Sequence, residues 1–147
     1  MIDVVPLTLD HVRMLSDPVT EPGLKKISES IPSYWETVCA SGRASAGFLN
    51  GEFLGCGGYG QPWPGVAEAW IWVMPQASKY PQGVHKFIKR SIRSLVEEHN
   101  LHRISVVVRE DNARARRWMS LLGFELEGIL RRAGPDGANY AQYARVE

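Results

Sequence analysis

The sequence has no apolar run approaching the roughly 18 residues that a membrane-spanning helix needs. Asp3, Asp10 and Arg13 also interrupt its N-terminus, so the expectation is a chain with neither a span nor a signal peptide. Charge of one sign is missing too. Seventeen Lys and Arg stand against sixteen Asp and Glu, a formal net charge of +1. That balance gives no global field for holding nucleic acid or an anionic membrane, so any anion site must be local. Cysteine is scarce. Cys39 and Cys56 cannot make a scaffold of bridges, and no CxxC or Cys/His cluster suggests zinc. Both read as free, small core residues in a reducing cytoplasm. His11, His85, His99 and His102 lack metal-ligand spacing with one another or with a carboxylate. Low-complexity stretches, like-charge blocks and internal periods are also absent. What remains, 147 residues of which 44% are hydrophobic, suits one compact domain able to fold without disulfides.

Local signals order that domain. Ile2 to Val5 reads as a short strand ended by Pro6, and Thr8 supplies an N-cap for a helix carrying Leu9, Val12 and Leu15. Lys25 to Glu29 adds a helical turn, and Ser33 with Glu36 predicts a capping box opening a helix through Ala40. Ala44 to Leu49 and Phe53 to Tyr59 flank Asn50-Gly51, a dipeptide suited to a tight hairpin. The Pro/Gly-dense interval Gly55 to Gly65 reads as a loop. Val66 to Val73 is apolar on both faces except for Glu68, the pattern of a central strand. From Gly83 to about Asn100 a helix carries Val84, Phe87, Ile88, Ile92, Leu95 and Val96 opposite Lys86, Lys89, Arg90 and Arg93. Ile104 to Val108 then completes a parallel crossover. Asp111 or Asn112 caps a helix presenting Ala115, Trp118 and Leu122 inward and stopping at Gly123. Phe124 to Leu130 and Tyr140 to Val146 pair across Pro135-Asp136-Gly137.

This order, with Asn112-x-x-Ala115, Leu122-Gly123-Phe124 and Glu127-Gly128, resembles the GCN5-related N-acetyltransferase (GNAT) superfamily over essentially the whole chain. The second half, from Ala67 to Val146, carries the specific part, through the run from Asn112 to Arg131. The resemblance implies a single α/β domain, residues 1–147, with a mixed, mostly antiparallel sheet and helices on both faces. It further implies that acyl-CoA pantetheine lies where Val66 to Val73 and Ile104 to Val108 splay apart. On that basis Glu68 matches the general base, backbone amides of Trp72, Val73 and Met74 hold the thioester, Ser78, Lys79 and Gly83 meet the pyrophosphate, and Asn112 makes a polar contact to the cofactor. The implied activity is acetyl-CoA-dependent acetylation of a primary amine on a small molecule or protein.

Two positions depart from the family pattern. The pyrophosphate loop aligns with Gln76 to Gly83, of which only Gly83 matches a small residue, and Pro81 replaces a glycine and removes a backbone donor. The tyrosine that usually protonates the leaving thiolate aligns with Met119, and a thioether donates no proton. A degenerate loop on a GNAT body also resembles small internal virion or assembly proteins of tailed bacteriophages. The second reading is therefore a catalytically silent GNAT-fold protein working with phage particle proteins, with a homodimer compatible with either reading.

The residues themselves carry part of this. Glu68 is the one carboxylate in an apolar strand, where desolvation would suit it to accept a proton from an amine; alternatively it is solvated or paired with an arginine. Trp70 and Trp72 share its face and either wall an acceptor pocket or pack under a helix. Arg114, Arg116, Arg117, Arg131 and Arg132 form a basic cluster open to the 3′-phosphate of CoA, to an acidic partner or simply to solvent. His85 sits near the expected phosphate end, as a cofactor contact or a solvated histidine. Nothing interleaves aromatics with the arginines as a nucleic-acid module would.

Overall fold

A computed structural model describes residues 1–18 and 21–147. The elements are β1 (Asp3–Pro6), α1 (Leu9–Arg13), α2 (Leu24–Ser30), α3 (Tyr34–Ala40), β2 (Ala44–Leu49), β3 (Glu52–Trp63) and β4 (Val66–Val73), followed by a 3₁₀ helix (Pro75–Lys79). Then come α4 (Pro81–His99), β5 (Arg103–Arg109), α5 (Ala113–Leu121), β6 (Glu125–Leu130) and β7 (Tyr140–Val146). The strands form one mixed seven-stranded sheet in the order β1-β2-β3-β4-β5-β7-β6. Antiparallel ladders join β1 to β2, β2 to β3, β5 to β7 and β6 to β7, and β4 runs parallel to β5 as the crossover requires. Contacts divide the chain into two compact units, residues 1–59 with 71–87 and residues 60–70 with 88–147.

In the first unit Thr8 caps α1 as expected, and His11 answers it: Thr8 Oγ1 accepts from the His11 N–H at 3.3 Å while His11 Nδ1 accepts from the Thr8 N–H at 3.1 Å. The box expected at Ser33 and Glu36 does not form. Ser33 enters α3 with φ of 59° and makes no side-chain cap, because that left-handed backbone turns its hydroxyl away from the first amides. The cap of α2 comes from upstream instead. Asp17 accepts from the N–H groups of Gly23 at 2.8 Å and Lys25 at 3.0 Å. Trp35 is buried and donates its indole N–H to Ser28 Oγ at 3.1 Å, tying α3 to α2. Asn50 and Gly51, with φ of 50° and 79°, make the expected turn with two positive φ values.

The loop expected over Gly55 to Gly65 is strand as far as Trp63. Gly55 is required by a close approach: φ is +146°, and a Cβ there would lie 2.1 Å from the Trp72 carbonyl oxygen, so only hydrogen fits between the two backbones. Pro62 lies beyond Gly58, the last residue of β3 in the ladder with β2, so its missing N–H breaks no bond of that ladder. Cys56 is buried on β3, and burial pushes its thiol up to about 12. Cys39, half-buried on α3, is likewise free of any disulfide.

In the second unit Ile104 is wholly buried, and Leu101, Met119, Leu122, Phe124 and Tyr143 are buried as well. The buried row of α5 runs through Ala115, Met119 and Leu122. Trp118, expected inward, is only half-buried, since the i, i+4, i+7 row faces the sheet more squarely than the i+3 position. The helix expected from Gly83 begins two residues earlier, with Pro81 as its first residue, where a missing N–H leaves no intrahelical bond unmade. Between β6 and β7 the chain is pinned by charge. Arg109 donates to Asp111 at 3.2 and 3.3 Å and to Asp136 at 2.8 Å, while the Glu110 N–H donates to the Asn139 carbonyl at 2.9 Å.

Gly55→Ala is expected to lower stability by about 2–4 kcal/mol in urea or thermal unfolding, the range for forced backbone strain and overpacking. Gly60→Ala, where nothing lies within 4 Å of the new Cβ, should leave stability unchanged or raise it by up to about 1 kcal/mol. The two backbone N–H donors hold the Asp17 carboxyl below its ordinary value. Its contribution is therefore present above about pH 4, the unfolded carboxylate value, and disappears as pH falls through the lower folded value. Asp17→Ala should lower Tm at pH 7, and the difference between variant and parent should shrink as the pH falls below about 4.

Candidate functional site

β4 leads directly into the 3₁₀ helix and α4, so the expected cofactor residues from Trp72 to Gly83 follow one another along one stretch of the first unit. Four contacts pin this stretch to the start of β3. The Met74 N–H donates to the Leu54 carbonyl at 2.9 Å, and Gln76 Nε2 to the Phe53 carbonyl at 2.7 Å. Lys79 Nζ meets Glu52 Oε2 at 2.9 Å, and the Tyr80 hydroxyl donates to Glu52 Oε1 at 3.4 Å. These contacts set the path of the segment more than its own propensity does.

Each expected residue has a definite setting. Trp72 is buried, packs edge-on against Trp35 with centroids 5.6 Å apart, and donates its indole N–H to the Ser16 carbonyl at 2.9 Å. It is a core residue rather than a pocket wall. Val73 is half-buried. The Met74 amide, expected at a thioester, donates to the Leu54 carbonyl. Ser78 donates its hydroxyl back to the Pro75 carbonyl at 2.8 Å. Lys79, expected as an open point charge, is paired with Glu52, and that hydrogen bond pushes the ammonium above its ordinary lysine value. Gly83 is exposed in the first turn of α4, with nothing within 4 Å of where a Cβ would stand. The N–H groups of Gln82 and Gly83 belong to the part of a helix that has no intrahelical acceptor.

In the second unit, the β4–β5 ladder comprises Val66↔Arg103, Ala67↔Ile104 and Glu68↔Ser105 among the described residues, although β4 continues to Val73 and β5 to Arg109. Ala67 is fully buried and Glu68, on the opposite face, is exposed. The desolvated setting expected for Glu68 is therefore not found. Arg103 lies diagonal to it on the same face, within reach of a long side chain, and feels its charge. The Arg103 guanidinium nevertheless turns to Glu127, forking onto the two carboxylate oxygens at 2.6 and 2.8 Å. Hydrogen bonding from Arg103 holds the Glu127 carboxyl below its usual value.

Asn112 caps α5, its Oδ1 accepting from the Ala115 N–H at 2.9 Å. Of the basic cluster, Arg116 is turned inward, donating to the Tyr143 hydroxyl at 3.0 Å and the Glu110 carbonyl at 3.3 Å. Arg114, Arg117, Arg131 and Arg132 are exposed. His85 is half-buried on α4. Sequence reasoning missed Glu52 and the contact that Gln76 makes: their partners lie 27 and 23 residues away in the chain, beyond the reach of any local pattern.

No family model matches the sequence, and no curated protein sequence matches it. Solved structures do. Ard1 from Thermoplasma volcanium superposes with a TM-score of 0.75 at 17% identity, over 99% of this chain and 97% of that one. An acetyltransferase of the GNAT family from Bacillus anthracis gives 0.72 at 14% identity, over 99% and 94%. RimJ of Mycobacterium smegmatis, in complex with CoA-disulfide, gives 0.70 at 22% identity, over 99% and 81%. The chain thus has the GNAT α/β fold along its whole length.

Replacing Glu52 by Gln removes the cause of the raised Lys79 value. An NMR titration of the reductively methylated protein should show the Lys79 resonance moving to a lower midpoint in the variant. An unchanged midpoint would mean that Glu52 does not hold the ammonium.

Proposed function

We propose that the protein is an acetyl-CoA-dependent N-acetyltransferase acting on a primary amine. The observation that supports this best is that its fold matches acetyltransferases from end to end. In this reading the far half of β4 offers its Trp72 and Val73 backbone to the acetyl-pantetheine arm as a further strand would. Gly83 and the start of α4 offer amides and the positive end of the helix dipole to the pyrophosphate. Lys79 joins them by exchanging Glu52 for phosphate, and Asn112 adds a polar contact with its side-chain amide.

Chemically, the neutral amine attacks the thioester carbonyl, the C–N bond forms, the C–S bond breaks, and Glu68 takes the amine proton. Its exposed position leaves it open to an incoming amine. Because Met119 is buried and carries no donor, water protonates the departing thiolate, whose ordinary value near 8.5 makes it a tolerable leaving group.

One set of observations favours a second reading, a catalytically silent GNAT-fold interaction protein, such as one working among phage particle proteins. Lys79, Ser78 and the Met74 amide already have partners within the chain. Thermal shift separates the two. Acetyl-CoA at 100 times its dissociation constant adds about 2.7 kcal/mol to folded-state stability, and no shift at millimolar concentration would select the silent reading. If the protein binds and turns over, Glu68→Gln should lower kcat by about 10²–10⁴, the usual share of a general base, with little change in acetyl-CoA affinity. Equal turnover in variant and parent would remove Glu68 from the chemistry.

A further inference from the structure

The outward face of α4 carries a charge pattern that the helix does not need. Lys86, Lys89, Arg90 and Arg93 are all exposed and fall on one stripe. The half-buried Val84, Phe87, Ile88, Ile92, Leu95 and Val96 lie opposite. Along the stripe the pairs 86/89, 86/90, 89/93 and 90/93 are like-charged neighbours at i+3 or i+4, each of which destabilises a helix on its own. The helix dipole, felt in the first and last turns, is not served either, since it favours acids at the start and bases at the end. Here the first turn holds no acid, and Glu97 and Glu98 stand beside His99 at the C-terminal end. None of the four cations makes a hydrogen bond or ion pair among the described residues, whereas Arg103, Arg109, Arg116 and Arg145 all do. Local rules broken with only Glu97, four residues after Arg93, to offset them point to a requirement outside the fold.

We propose that this stripe docks a short acidic segment of another protein, carboxylates at helical spacing meeting the four cations. The surface is independent of whether acetyl-CoA binds. Charge complementarity favours this occupant over the others. A second copy of the chain would bring four more cations against these four, with only Glu97 in line to offset them. A nucleic acid would run past the stripe, which spans about 10 Å at 1.5 Å per residue, onto Glu97 and Glu98 and a surface of near-zero net charge. The stripe also offers no aromatic side chain on which a base could stack.

The test uses the full chain and a fluorescein-labelled oligo-glutamate peptide, followed by anisotropy at low ionic strength. The expected result is saturable binding that weakens about tenfold or more when Lys86, Lys89, Arg90 and Arg93 are all replaced by Gln, the loss of four rim ion pairs. It should persist when Arg114, Arg117, Arg131 and Arg132 are replaced instead, a variant of equal net charge. The α4 variant should keep or raise the Tm, since like-charge neighbours have been removed. Four outcomes would overturn the proposal: equal weakening in both variants, a fall in Tm of the α4 variant, tighter binding of a labelled DNA duplex than of the peptide, or self-association in sedimentation that the α4 substitutions abolish.

Discussion

The close passage of two backbones at Gly55 is the constraint on which the first unit turns. With no side chain there, β3 lies against the Trp72 carbonyl, and the rest of the exit from β4 follows from that proximity. Leu54, Phe53 and Glu52, the residues just before Gly55, then accept in turn from Met74, Gln76 and the Lys79–Tyr80 pair. A single permissive position thus allows a row of contacts that fixes a segment with little secondary structure of its own. Burial of Trp72 against Trp35 adds an aromatic edge contact to the area it removes from water.

The same row bears on chemistry. Glu52 lies on β3 and holds the cation that the family resemblance assigns to phosphate. Acquiring an anionic ligand therefore means exchanging one anion for another rather than meeting an unpaired charge. Such an exchange is far less favourable than filling a vacant site, because the ligand gains only the difference between the two interactions. The β5–β6 side shows the opposite arrangement. Arg103 has two carboxylates within reach and takes Glu127 by a fork, which leaves Glu68 with neither a hydrogen bond nor an ion pair among the described residues. Two neighbouring charges have thus been sorted by geometry, one into structure and one into the open.

Much of the architecture was legible because it is written in short-range signals: Asn50-Gly51 for the hairpin, Thr8 and Asn112 for caps, and the amphipathic stripe for α4. The errors came where long-range packing overrides local preference. Gly55 to Gly65 looks like a loop by composition, yet its glycine answers to Trp72 across the sheet, and its Pro62 lies past the end of a neighbouring ladder. Ser33 and Glu36 have the spelling of a capping box, but Ser33 takes a left-handed backbone and the motif is lost. The candidate site was legible as a set of positions and illegible as a set of interactions. Glu68, Lys79 and Gly83 could be named from the pattern. That Lys79 answers to Glu52, and that Glu68 is open to water, depends on contacts between residues that are far apart in the chain.

The Arg109 fork has a consequence for the connection between β6 and β7. Nine residues of mixed turn would ordinarily wander, yet here one guanidinium grips Asp111 beside β5 and Asp136 within the turn, and the hydrogen bond from Arg109 holds the Asp136 carboxyl below its usual value. The clasp is electrostatic, so its strength follows the ionisation of an acid rather than the burial of a core. Acid strong enough to neutralise Asp136 loosens this turn while leaving the β5–β7 ladder, with its seven residue pairs, intact.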